Sequence, residues 1–137
     1  MNKKRNFINL CVFLFMGIMI AACGGKKSPA DIEMSIQNEY KKGNYKKAID
    51  ISIANTHFED AEAKKETQAM VAPMIEKAKQ KNESKGGIAN VELVSEDIDE
   101  EDGTATVKTL ITYGDGSTKT ERSYYEKVNG TWKIVLN

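Results

Sequence analysis

The sequence predicts an α+β domain in which N-terminal helices pack on a four-stranded antiparallel β-meander, and three features predict it. Apolar residues recur at four-residue spacing behind the capping signal Ser28-Pro29-Ala30-Asp31. After Gly87 the chain turns to β-branched residues in strand-like patterns. Turn signals at Asp102-Gly103, Gly114-Asp115-Gly116 and Asn129-Gly130 divide that second half into four strands joined by three hairpins.

Ahead of the domain, Lys3, Lys4 and Arg5 precede a 14-residue apolar run, Phe7 to Ile20, that leads into Ala21, Ala22 and Cys23. A basic start, a short apolar stretch and small residues before a cut are the parts of a secretory signal peptide over residues 1–22. The run is interrupted by Asn9 and falls short of the ~20 residues that span a bilayer, which disfavours an uncleaved anchor. Ile20-Ala21-Ala22-Cys23 resembles the lipobox of bacterial lipoproteins. That resemblance implies cleavage between Ala22 and Cys23, diacylglycerol on the Cys23 sulfur, acylation of the new amino terminus, and attachment to a membrane through that lipid. Residues 23–27 continue as a short tether, small and charged without apolar periodicity. They lack the early acidic residues that resemble retention or surface-export signals, so the expected location is the periplasmic face of the outer membrane.

Residues 28–137 form one domain. Ser28 caps a first helix over 29–42, Pro29 fits its first turn, and Asp31 completes the capping box. Ile32, Ile36 and Tyr40 make its buried stripe and Gly43 its stop. Asn44 caps a second helix over 45–54, with Tyr45, Ala48, Ile49, and Ser52 or Ile53 on one face. The Gly43 to Ile49 turn is similar to part of a tetratricopeptide repeat, but no second copy exists at the ~34-residue period such an array requires. A third helix over 58–80 would bury Phe58, Ala61, Met70, Val71, Met74, Ile75 and Ala78, with a kink or break between Ala69 and Pro73. Asn82 to Gly87 reads as a linker.

Strands follow over 88–98, 104–113, 118–128 and 131–136. A two-residue Asn129-Gly130 turn sets Lys127 opposite Trp132, Tyr125 opposite Ile134 and Ser123 opposite Leu136 on the core side. It sets Glu126 opposite Lys133 and Tyr124 opposite Val135 on the wetter side. Counting back from Asp102-Gly103 as a two-residue turn sets Ile98 opposite Val107 and Val94 opposite Ile111. A three-residue Gly114–Gly116 loop then places Val107 beside Ser123, on the core face, where a two-residue turn would place it on the wet one.

The precursor holds 20 basic and 20 acidic side chains; loss of residues 1–22 leaves 115 residues with 17 against 20, a balance that argues against nucleic acid as partner. Cys11 leaves with the signal and Cys23 carries the lipid, so no disulfide, thiol nucleophile or cysteine metal site is expected in the domain, and no cofactor. Six acids in the seven residues before Gly103 could attract a hard cation through Asp97, Asp99, Glu101 and Asp102. Counted from Asp97, however, the sixth and twelfth positions of an EF-hand loop are Asp102 and Lys108 where Gly and Glu are required. A solvated hairpin end is the plainer reading. His57, the only histidine, reads as a surface residue at a helix start rather than a general base. No serine elbow or phosphate loop is present in the sequence. Tyr40, Tyr125 and Trp132 are the aromatic residues placed to fill the core or line a pocket, with Tyr113 at a hairpin end and Tyr124 outward.

Ser28-Pro29, Lys42-Gly43-Asn44-Tyr45-Lys46-Lys47-Ala48, Thr104-Ala105-Thr106-Val107 and Asn129-Gly130-Thr131-Trp132-Lys133-Ile134 are similar to the small bacterial lipoproteins of the domain of unknown function 4878 family, in the cystatin-like or nuclear transport factor 2-like group. The resemblance implies a curved sheet wrapping the helices, sometimes with a pocket between them, made shallow here by the lack of a strand pair before the long helix. Isomerases and dehydratases of the wider group hold Asp or His in that pocket, but no residue here matches such a motif.

The leading expectation is a non-enzymatic, lipid-anchored periplasmic domain that binds an envelope protein partner, or a small molecule weakly. An isomerase-like or hydrolase-like enzyme is the second; it requires a buried ionisable group facing a cavity, such as an acid deep among tyrosines. A calcium-responsive module at the acidic hairpin is the third.

Overall fold

The computed structural model describes residues 26–136. The expected signal peptide over 1–22, its cut at Ala22 and Cys23, and the first residues of the tether lie outside the described residues.

Four helices precede a single antiparallel sheet: α1 Pro29–Lys41, α2 Tyr45–Ala54, α3 Ala61–Ala69, α4 Val71–Glu83, β1 Ile88–Asp99, β2 Thr104–Tyr113, β3 Thr118–Val128 and β4 Thr131–Ile134, with the strands side by side in chain order. No helix among the described residues is long and apolar enough to cross a membrane.

α1 begins as its sequence dictates. The Ser28 hydroxyl accepts from Asp31 N at 3.1 Å, the Asp31 carboxylate accepts from Ser28 N at 3.2 Å, and Pro29 occupies the first turn. Gly43, at φ 79°, reverses the chain into α2. Asn44 does not cap α2 with its side chain. Its amide donates instead to Glu39 Oε2 at 2.9 Å, so the carboxylate at the end of α1 has captured the expected cap.

The third expected helix is two. Asp60 caps α3, its carboxylate accepting from Ala63 N at 2.8 Å, so the helix starts at Ala61 and not at Phe58. The break falls at Met70, and Pro73 then sits in the first turn of α4, where its missing N–H costs nothing. α4 runs on to Glu83 and absorbs Asn82 from the expected linker. None of the positions expected to be buried here is fully so: Met70 and Met74 are 56% and 40% exposed, because α3 and α4 lie at the periphery and cover little of the sheet.

β2 is the spine of the core. Ala105, Val107, Thr109, Ile111 and Tyr113 alternate inward and all are buried. Ile32 and Ile36 of α1, Ala48 of α2, and Tyr125 and Trp132 from β3 and β4 close around the first part of that row. Val91 joins Ile111 and Tyr113 at the other end, with Met34 and Ile88 packed against them. Thr56, just past α2, bridges to Ile134 and fixes the helical layer to the last strand.

Two of the three registers are as counted. Tyr125 faces Ile134 and Lys127 faces Trp132 across a turn with Asn129 at φ 51° and Gly130 at φ 76°, although β4 ends at Ile134 rather than at residue 136. Val107 faces Ser123 across the three-residue loop. The first hairpin differs. Residues 100–103 form a four-residue loop, held by Asp99 Oδ1 accepting from Asp102 N at 2.9 Å and by Gly103 at φ 66°. Pairing therefore slips by two, and a bulge at Val94 adds a further step. Ile98 lies opposite Ala105, Val91 takes the place beside Ile111, and Val94 is 53% exposed.

Candidate functional site

A cavity of about 350 Å³ opens between α1, α4 and the helix-covered face of the sheet, within the range of small-molecule sites. Its floor is core: Ile49, Ile111 and Tyr113 are buried residues that reach it. Gln37 and Tyr40 enter from α1, Met74, Ala78 and Lys81 from α4, and Glu121 from β3. A wider groove of about 1040 Å³ adjoins it around the α1–α2 turn, sharing Tyr40 and Ile88.

A polar seam runs behind the cavity. Glu33 is 4% exposed, with Oε2 accepting from the Tyr125 hydroxyl at 2.8 Å and Oε1 accepting from Gln37 Nε2 at 2.9 Å. Gln37 Nε2 also lies 3.4 Å from Glu121 Oε2, and Glu121 Oε1 lies 2.5 Å from Lys119 Nζ. Both oxygens of the deep carboxyl group are thus engaged, as burial of a polar group demands. Glu121 is the acid that faces the cavity.

The electrostatics follow from this packing. Burial, reinforced by Glu33, pushes the Tyr125 hydroxyl far above the ordinary phenol value. Burial does the same to Tyr40, aided by Glu121 and Glu33, and to Tyr113, aided by Glu121. The Lys119 ammonium is raised chiefly by its bond to Glu121. Lys81 is lowered, first by contact with the neighbouring Lys119 and then by burial.

The expected site residues divide. Tyr40 lines the cavity, whereas Tyr125 and Trp132, at 1% and 6% exposure, are interior and reach it with no ring face. Tyr125 acts only from behind, through Glu33. Tyr113, expected at a hairpin end, is 2% exposed because the turn after α4 folds over it, and it lines the cavity. Tyr124 is 41% exposed, as counted.

The acidic hairpin does not assemble a cation site. Among the described residues no three acidic, His or Cys side chains converge as metal ligands. Asp99 is spent on the Asp102 amide, Glu100 lies 2.9 Å from Lys127 Nζ, and Glu96 Oε2 accepts from Ala30 N at 2.7 Å at the start of α1. That draws Glu96 away from the other carboxylates and onto the helix N-terminus. His57 is an exposed residue between α2 and α3 whose N–H donates to the Ile134 carbonyl at 3.4 Å.

Helices laid on a four-stranded antiparallel sheet with a cavity between them define the nuclear transport factor 2-like class of fold. Within it, the chain belongs to the domain of unknown function 4878 family, whose model matches residues 21–135. A crystal structure of a provisionally assigned NTF2-like transpeptidase from Campylobacter jejuni is similar at a TM-score of 0.64 and 13% identity, covering 81% of this chain and 100% of that one. At that identity the likeness concerns the fold alone. A SEC-C motif containing protein from Rhodopseudomonas palustris reaches a TM-score of 0.47 at 16% identity, over 80% of this chain and 76% of that one. No curated protein matches the sequence.

Proposed function

We propose that this chain is a non-enzymatic, lipid-anchored domain of the bacterial cell envelope that binds a small molecule in the cavity between α1, α4 and the sheet. The observation that carries the reading is the cavity itself: an apolar floor of Ile49 and Ile111, with Gln37, Tyr40, Lys81, Tyr113 and Glu121 placed around it. The lipobox-like Ile20 to Cys23 supports the anchor. α1 is 13 residues long, roughly 20 Å, with the tether at its start and the mouth of the groove around its end. A ligand site at that distance stands clear of the surface that a lipid on Cys23 would hold.

A second reading, an isomerase-like or hydrolase-like enzyme, draws on Glu121 facing a tyrosine-lined cavity. Against it, Glu121 is already bonded to Lys119, and Glu33 behind it is held by Tyr125 and Gln37.

A fragment library titrated against the full chain, read on the methyl signals of its methionines, tests the proposal. Saturable shifts at Met74, lost in Ala78→Trp with the fold retained, are the expected result. Failure of every fragment to move Met74 overturns it. Chemical conversion of a fragment that Glu121→Gln abolishes would favour the enzyme.

A further inference from the structure

The charges around the cavity do not balance. Lys119 is paired with Glu121, but Lys81 on the facing helix has no carboxylate at ion-pair distance among the described residues. The one carboxylate that lines the cavity is thus engaged by a lysine beside it, and Lys81, which lines the cavity from α4, is left as a cation without a partner among the described residues. The neighbourhood repeats the imbalance. Seven lysines and three carboxylates line the cavity and its adjoining groove, although the whole chain is electrically neutral. Three of those lysines are satisfied: Lys42 and Lys47 by Glu39, and Lys46 by Asp50. Lys41, Lys77, Lys79 and Lys81 have no ion-pair partner among the described residues. An anion beside Lys81 would gain a charge-assisted contact that no carboxylate among the described residues supplies.

The rest of the cavity asks for something apolar. Met74, Ala78, Ile88 and Ile111 line it, and the hydroxyls of Tyr40 and Tyr113 make no hydrogen bond among the described residues, which leaves two donors for an oxygen-rich group. At ~30 Å³ for a water-sized group, the volume holds on the order of a dozen non-hydrogen atoms. A membrane phospholipid with two chains does not fit.

We propose that the cavity takes a small, soluble amphipathic anion, its carboxylate or phosphate seated on Lys81 and its apolar body against Met74, Ala78 and Ile111. The inference rests on the cavity being a ligand site, and adds the charge and shape of the occupant.

The test uses the full chain in phosphatidylcholine nanodiscs, with methionine methyl signals as the readout and hexanoate, hexyl phosphate, hexanol and inorganic phosphate as probes. Expected is a saturable shift at Met74 with at least one of the two amphipathic anions, binding tenfold or more tighter than hexanol, and weakened at least tenfold by Lys81→Gln while hexanol binding is unchanged. Hexanol binding as tightly as both anions, or indifference to Lys81→Gln, overturns the anion and leaves the cavity reading standing. Inorganic phosphate as tight as hexyl phosphate overturns the amphiphile. A Met74 shift on replacing part of the nanodisc lipid with phosphatidylglycerol, before any probe is added, overturns the soluble ligand in favour of a headgroup. Silence at Met74 with every probe overturns the cavity reading and the inference with it.

Discussion

The Tyr125 hydroxyl donates to Glu33 Oε2 at 2.8 Å across 92 positions of sequence, tying the middle of β3 to the middle of α1. Both groups are almost wholly buried, and the bond forms the back wall of the seam that ends at Glu121. Removing the hydroxyl leaves a carboxylate oxygen buried without its donor, which costs about 1–3 kcal/mol. Tyr125→Phe is therefore expected to lose that much in urea unfolding with an unchanged m-value. A loss of a few tenths would show that packing alone holds the two elements together.

The three interior tyrosines give the fold an alkaline limit. Tyr125, Tyr40 and Tyr113 all have hydroxyls raised above the ordinary phenol value, burial being the first cause in each case. The unfolded chain releases these protons near pH ~10, whereas the native state keeps them. Stability is thus fully present below that pH and falls as pH rises above it. The melting temperature should drop steeply from pH 10 upward, less steeply in Tyr125→Phe. Parallel declines in the two proteins would show that Tyr125 is not a source of the limit.

Gly114 and Gly86 touch where the β2–β3 loop meets the turn after α4. A Cβ on Gly114 would lie 2.3 Å from the Gly86 carbonyl oxygen, and Gly114 N donates to the Gly87 carbonyl at 2.8 Å. This junction holds Lys85 over the Tyr113 ring, 4.5 Å from its centre. Gly114→Ala must push the two backbone segments apart, at a cost of about 2 kcal/mol, within the usual range for steric strain. It should also move the Tyr113 ring signals. A variant as stable as the parent, with Tyr113 unmoved, would mean that the junction yields freely.

The tether has its own test. If Cys23 carries lipid, Cys23→Ser should shift the protein from the membrane fraction to the soluble one, and mass spectrometry should find a diacylglycerol thioether and no residues 1–22 on the parent. An unmodified sulfhydryl on a chain that still begins at Met1 would refute the anchor.

Much of this architecture was legible because local signals agreed with the global fold. Ser28 and Asp31 state their capping box in the sequence, and Asn129-Gly130 and Gly114–Gly116 state their turns, so the registers of β3 and β4 could be counted. The same count placed Ser123 on the core face, and two residues earlier it reaches Glu121; the acid at the cavity was thus within reach, as were Glu33 and Gln37, one step round the helix from Ile32 and Ile36. The first hairpin was not legible in the same way, because Asp102-Gly103 could be counted as a two-residue turn and only Asp99 capturing the Asp102 amide makes it four. Lys81 was missed because α4 outruns Gln80. Its place on the cavity with Glu121 of β3 is a product of tertiary packing that no local pattern records.

The central claim is that a ligand sits between α1, α4 and the sheet, and intermolecular nuclear Overhauser effects from a bound probe to assigned methyl groups locate it most directly. Contacts to Met74, Ala78 and Ile111, which line the cavity, are the predicted result. Contacts instead to Leu93 and Val94, exposed on the edge strand β1, would place binding on another surface and contradict the account.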